Sequence, residues 1–328
     1  MPDSMQAALT IAGKEYRDAL KSGLFITVLL FLFILSAVSI IVASLQFQAA
    51  VIEYRDSVKI LADMGKAPGV PPQFYPLKLL RGLVDYLEMI GAIIGILLGY
   101  SSIVKEKNQR TLQLVLTRPI KACDIISGKI LGNAMMLSTV LALVGVLVFF
   151  SLSYIGSANL NGIELEKVLI VLFFSLLYVM IFYSLTAFLS LSMKNQANSL
   201  ILSLVIWLLI VMILPQIGDT MDPDNQIPGG FFKSMNIDKN SEKEVLARFT
   251  GYEAVRNTIE ESSITKHYER LSFALLGIKD EYNEKPLDYI MGRTWLEGVW
   301  ITGFLTAGLA LCYYAINKRD TLLGGEIK

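Results

Sequence analysis

Residues 168–191 read VLIVLFFSLLYVMIFYSLTAFLSL, 24 positions without an Asp, Glu, Lys, Arg or His. At 1.5 Å per residue a helix of this length reaches about 36 Å, enough to cross roughly 30 Å of hydrocarbon. A helix apolar on every face leaves no side for water, so its solvent must itself be apolar. Five further stretches share the property: 24–45, 89–104, 130–155, 197–217 and 299–316. The stretch 89–104 is the shortest and borrows its first turn from 83–88, placing Asp85 and Glu88 at headgroup depth. The stretch 24–45 has 22 residues, longer than the roughly 7–15 of a secretory signal, so it counts as a span. The fold class is therefore all-α membrane protein with six transmembrane helices.

Composition agrees. Hydrophobic residues make up 54% of the chain and charged residues 18%, while 29 Lys/Arg balance 29 Asp/Glu. Zero net charge gives no case for nucleic acid as partner. Its distribution, however, is uneven. Segments 1–23, 105–129, 192–196 and 317–328 carry 13 Lys/Arg against 7 acids, and the alternating segments 16 against 22. Positive loops stay in the cytosol, which puts both termini and the 105–129 loop inside and 46–88 and 218–298 outside.

Between the spans, Met5, Ala8, Leu9, Ala12, Tyr16, Ala19 and Leu20 recur at helical spacing and predict an amphipathic interfacial helix over 1–23. Segment 46–88 is polar and then proline-rich. Segment 218–298 opens on turn formers and then shows two amphipathic patterns, Val245 to Ile259 and Ile264 to Leu275. They predict a small helical extracytoplasmic domain between the fifth and sixth spans, with an acidic surplus that could attract a partner protein.

Several chemistries are excluded. Two cysteines, Cys123 and Cys312, and one histidine, His267, are too few for a disulfide framework or a metal cage. The pairs Gly13-Lys14, Gly65-Lys66 and Gly128-Lys129 all lack the remaining residues of a phosphate-binding loop. The span cores hold none of the ionisable groups that proton- and ion-coupled carriers place at mid-membrane. Glu297, flanked by Trp295 and Trp300, marks the outer interface of the last span. Gly91, Gly95 and Gly99 form a small-residue stripe on one face of the second span, a helix-packing surface and a candidate two-fold interface.

Most informative is 105–129, KEKNQRTLQLVLTRPIKACDIISGK. A charged helix leaves the membrane with Leu112, Val115 and Leu116 on one face and breaks near Pro119. A second short helix with Ile120, Ile125 and Ile126 as its apolar face then leads to Lys129. Reversal between two spans alone does not need 25 residues. The pattern resembles the cytosolic loop of permease subunits of the class 2 ABC exporter family, through Glu106 with Thr111-Leu112, Thr117-Arg118-Pro119-Ile120, and Ile125 or Ile126 ahead of Gly128-Lys129. The layout is similar too, though the long external segment before the last span departs from relatives with only short re-entrant helices. The resemblance implies a non-catalytic permease subunit, paired as a homodimer with two copies of a separate ABC ATPase subunit that binds ATP and Mg2+. Residues 119–127 would be its coupling helix, and Lys194 in the 192–196 loop would make a smaller second contact. Cargo, on the aromatic residues Tyr100, Tyr178, Tyr183 and Trp207, would be hydrophobic or amphipathic. Another class within the same family would pass ATP-driven motion to an extracytoplasmic partner at 218–298, and a channel or scaffold is a third alternative.

Overall fold

A computed structural model describes residues 2–65, 75–108, 121–155, 161–221, 231–235 and 250–326, with isolated positions between 237 and 248. Among the described residues every regular element is helical. The α-helices are α1 Pro2–Lys21, α2 Gly23–Asp63, α3 Arg81–Tyr86, α4 Ala92–Asn108, α5 Ala122–Phe150, α6 Gly162–Ser192, α7 Gln196–Trp207, α8 Leu214–Met221, α9 Phe231–Ser234, α10 Thr250–Glu261, α11 Ile264–Leu275 and α12 Leu287–Glu326. Six segments are long and apolar enough to cross a membrane: Leu29–Asp63, Pro76–Val104, Ala122–Ser153, Gly162–Ser192, Gln196–Met221 and Leu287–Lys318.

These helices outrun the apolar stretches that announce them, because helical geometry continues until a local signal stops it. The first, α2, carries on about 27 Å past residue 45 and stops where Gly65 takes a positive φ of 67°, with the Met64 and Gly65 amides donating to Ile60 and Ala62 carbonyls. At the start of α6 the Glu164 carboxylate accepts from the Asn161 amide at 2.8 Å, six residues ahead of the apolar core at 168. The second span is built in pieces: a 3-10 turn Pro76–Leu80, then α3, a π-helical turn Leu87–Gly91, then α4. Two further π-helical turns follow, Ser151–Ile155 at the end of α5 and Leu208–Ile213, which joins α7 to α8. Each π turn inserts a residue and leaves backbone carbonyls open to outside donors.

The second and fourth spans form the centre, with 61% and 67% of their apolar windows buried, whereas the fifth and sixth, at 17% each, lie at the periphery. Tyr178, Tyr183 and Phe182 of α6 are among the largest fully buried side chains.

Candidate functional site

The third span begins where the 105–129 loop enters the bundle, and there α5 grips four other helices. Gly128 and Gly132 seat α1: a Cβ at Gly128 would lie 2.7 Å from Ala8 O, and one at Gly132 2.6 Å from Ala12 O. Only glycine permits that approach, and it lets α1 run lengthwise along α5 in the same direction. Between these glycines Lys129, 1% exposed, extends inward. Its Nζ donates at 2.8 Å to the Glu15 carboxylate of α1 and at 2.8 Å to the Ser102 carbonyl of α4. Asn133 Nδ2 donates to the Lys129 carbonyl at 2.8 Å and to the Tyr183 hydroxyl of α6 at 3.4 Å, and that hydroxyl lies 3.3 Å from Ser102 Oγ. One turn earlier, the Ser127 hydroxyl meets the Tyr313 hydroxyl of α12 at 2.8 Å. A buried ammonium is tolerable only with a carboxylate and further acceptors around it, and here both are supplied.

The glycine stripe of the second span lies beside this knot. Cβ atoms at Gly95 and Gly99 would overlap the Val179 and Tyr183 carbonyl oxygens, and one at Gly91 would touch Val179 Cγ2 at 3.0 Å. The second span therefore packs backbone to backbone on α6 of its own chain, and that face is occupied without a second copy.

At the opposite end, α10 and α11 form a hairpin whose turn, Ser262–Ser263, enters the bundle. Ser263 Oγ donates at 2.8 Å to the Ile210 carbonyl. Ile210 lies in the π turn of the fifth span, and five residues on stands Pro215, which has no N–H to complete the π pattern, so the serine supplies the missing donor. Tyr178 donates to the Glu88 carbonyl of the second span's π turn at 3.0 Å and lies 3.2 Å from Thr265 Oγ1. Tyr268 stacks on Tyr178 with centroids 4.6 Å apart, and its hydroxyl meets Ser175 Oγ at 2.7 Å. Tyr178 stands about 15 Å along α6 from residue 168, so the hairpin reaches well into the bundle. With Ile264, Tyr268, Leu271 and Leu275 all buried, α11 is embedded among the spans rather than standing apart.

Charges line the hairpin's outer flank. Lys266 Nζ lies 3.1 Å from Asp219 and 3.0 Å from Glu269. Burial alone would lower its pKa, but the two carboxylates outweigh it and hold it above the usual value. Arg270 and Arg256 bind Glu260 at 2.7 and 3.2 Å; burial would raise this carboxyl, and the two guanidinium groups hold it below its usual value instead. Gly218 makes room, since a Cβ there would lie 2.6 Å from Glu260 Cγ. His267 is hydrogen-bonded to Glu297. Lys167, at the start of α6, donates to Lys285 O at 2.8 Å and to the Tyr75 hydroxyl at 3.1 Å, closing the outer rim. Among the described residues, His, Cys, Asp and Glu form no group able to hold a metal ion.

Thr111, Leu112, Leu116, Pro119 and Ile120 lie outside the described residues, and Glu106 is described only as part of the helix α4. Residues 122–127 are the first turns of a continuous α5, where the sequence reading has them in a separate short helix. Ile125, Ile126 and Lys129 are buried within the bundle, and the third is tied to α1 through Glu15. Lys194 is exposed in the turn between α6 and α7. Tyr178 and Tyr183 spend their hydroxyls on internal hydrogen bonds. Sequence reasoning missed the knot, though Gly128 and Gly132 against Ala8 and Ala12 signalled it, and missed the embedded hairpin, for which Pro215 was a signal.

A family model described as ABC-2 family transporter protein matches residues 9–321. No individual curated protein matches the sequence.

Proposed function

Because the chain belongs to the ABC-2 transporter family, we propose that it is the permease subunit of an ATP-driven exporter, pairing as a homodimer with two copies of a separate ATPase subunit in a prokaryotic plasma membrane. Both termini and the 105–129 loop face the cytosol. ATP and Mg2+ belong to the partner subunit, and this chain contributes no bond chemistry. The observation that carries the reading is the knot at Lys129, where the loop's exit joins α1, α4 and α6 through an ion pair and shared hydrogen bonds.

Force applied to residues 106–120 enters α5 at Ala122 and is passed to α1 at Gly128 and Gly132, while the glycine contacts make α4 and α6 move together. Two arrangements of this packed unit, one favoured with ATP bound and one without, open the bundle alternately to either side. The cargo class we favour is hydrophobic or amphipathic, because the surfaces of the spans are mostly apolar.

Co-purification with the ATPase subunit tests the reading. Leu116→Asp with Pro119→Ala, and separately Lys194→Glu, should reduce recovery of the complex while the permease itself keeps its elution volume and melting temperature. Unimpaired assembly in both variants would overturn it.

A second reading rests on α2, which continues as a helix to Asp63, well past its apolar run, and so offers a projecting surface to an extracytoplasmic protein that receives the motion. Cross-linking from residues 52–60 to such a protein would favour it, and cargo-stimulated ATPase activity in vesicles lacking any such protein would favour export.

A further inference from the structure

The helix that brings Glu15 to the knot has two further faces, and both are exposed. On α1, Ala8, Ala12 and Glu15 are buried, and at 3.6 residues per turn they share one sector of about 60°. Met5, Leu9 and Leu20, exposed by 67%, 55% and 42%, fall in a second sector of about 60° beside it. Lys14, Arg17 and Lys21, also exposed, fall in a third. An apolar face and a cationic face thus lie side by side, away from the bundle.

The depth of α1 is marked twice. Gly128 and Gly132, on which α1 is seated, straddle residue 130, where the uncharged run of the third span begins. Lys21 stands three residues before the uncharged run of the first span, which begins at residue 24. Both markers put α1 where hydrocarbon gives way to lipid headgroups.

The chain itself does not balance the charge there. Arg17 Nε donates at 3.1 Å to the Gly13 carbonyl of its own helix, which uses one of five guanidinium donors. Among the described residues no ion pair engages Arg17 or Lys21. With Glu15 committed to Lys129, the 14–21 stretch keeps three cations against Asp18 alone. A face in water needs the cations but not the leucines, and a face in lipid tails needs the leucines but not the cations. Both together fit the boundary of a negatively charged bilayer, where apolar side chains enter the acyl layer and long basic ones reach the phosphates.

We propose that the outer face of α1 binds anionic phospholipid headgroups, through Arg17 and Lys21 with Lys14 beside them, in the leaflet where α1 lies. Charge selects the lipid: a phosphatidylglycerol headgroup is net negative, whereas phosphatidylcholine is zwitterionic. Each basic residue at an anionic surface favours such lipid by about fivefold, so removing two should lower the preference by about tenfold or more. Lipid held on this face anchors the helix whose inner face pairs Glu15 with Lys129.

The test uses the full-length chain in vesicles, with Cys123 and Cys312 replaced by Ser and a fluorophore attached through Thr10→Cys, in the cationic sector. In a phosphatidylcholine host, brominated phosphatidylglycerol should reach half-maximal quenching at a mole fraction about tenfold or more below that of brominated phosphatidylcholine. Arg17→Gln with Lys21→Gln should remove most of that advantage. Arg55→Gln with Lys59→Gln, the same charge change at the same spacing but on α2 about 15 Å past residue 45, should preserve it. Equal quenching by the two lipids before any charge is removed, or an advantage that survives in Arg17→Gln with Lys21→Gln, would overturn the proposal. Salt gives a check without those substitutions: raising it from about 0.1 M to about 1 M shortens the screening length from about 10 Å to about 3 Å and should shrink the advantage, and indifference to salt would overturn it too. Retained lipid preference with loss of the ATPase subunit in Arg17→Gln with Lys21→Gln would assign the cations to a protein partner instead. The vesicles contain no ATPase subunit, so absent lipid preference leaves the permease reading standing, and failed assembly leaves the lipid result intact.

Discussion

Lys129 carries more than its position suggests. Its side chain is buried next to the Gly128–Gly132 face, and its ammonium ends on Glu15 and the Ser102 carbonyl. Lys129→Met leaves the Glu15 carboxylate buried without its partner, and losses of this kind cost about 3–5 kcal/mol. The same charge removed from both sides, as Glu15→Gln with Lys129→Met, should recover much of that, because two neutral groups replace one orphaned ion. Melting in detergent micelles measures both; a double variant no better than the single would show that shape, and not charge, holds the knot. Gly95 offers a steric counterpart. Gly95→Ala drives a methyl into the Val179 carbonyl, and overpacking of this kind costs about 1–3 kcal/mol. Gly303→Ala, where a Cβ meets nothing within 4 Å, should cost little by the same measurement. At Glu260 the folded carboxyl is held below its usual value of 4.5, so its stabilising contribution is present above that pH and is lost as pH falls through the folded value. Proteolysis at the α10–α11 turn should accordingly increase on acidification below about pH 4.5, and the increase should vanish in Glu260→Gln.

At the scale of elements, the six spans could be read directly from the sequence, because twenty uncharged residues in a row have few alternatives to a membrane helix. Their ends could not. The helices α2, α6 and α12 continue into polar sequence that composition assigns to loops, and in α2 and α6 a positive φ or a capping contact marks the end. The hairpin was half legible. Its periodicity gave α11 a correct apolar face, but periodicity says which face is covered and not by what. The Ile264, Tyr268, Leu271 and Leu275 pattern fits a water-soluble domain as well as it fits a seat against α6 and α12. What decides is polar satisfaction at depth: Ser263, Thr265 and Tyr268 have hydroxyls that reach the π-turn carbonyl of Ile210 and the side chains of Tyr178 and Ser175. Ser263→Ala should therefore loosen the hairpin tip at a cost of about 1–3 kcal/mol, read as faster hydrogen exchange at the start of α11 with little change in α5. Uniform acceleration across both helices would mean the tip is not a separate unit.

On the scale of the whole molecule, burial falls off from the centre of the bundle to its periphery. The second and fourth spans are enclosed, while the fifth shows Ile201, Leu204, Val205, Leu208, Leu209, Met212, Ile213 and Ile217 on its outer surface. Lipid tails can cover such a face, but a shallow groove there also includes Gln216 and Thr220 beside Met212, Ile213, Ile217 and Met221. An amide on a lipid-facing groove lacks partners that a second protein surface could supply. The glycine stripe of the second span is already filled by α6, which removes the face that sequence alone would nominate for pairing and leaves the fifth span as the stronger candidate. In a background with Cys123 and Cys312 replaced by Ser, a single cysteine at Ile213 or Ile217 should form a disulfide-linked dimer on mild oxidation in vesicles. One at Leu311 or Tyr314, exposed on the sixth span, should stay monomeric. A two-fold axis repeats the same residue at short distance only near the axis itself, so efficient linkage on the sixth span with none on the fifth would move the proposed pairing to the sixth span. It would also put Gln216 against lipid, where its amide would have to bond within the groove.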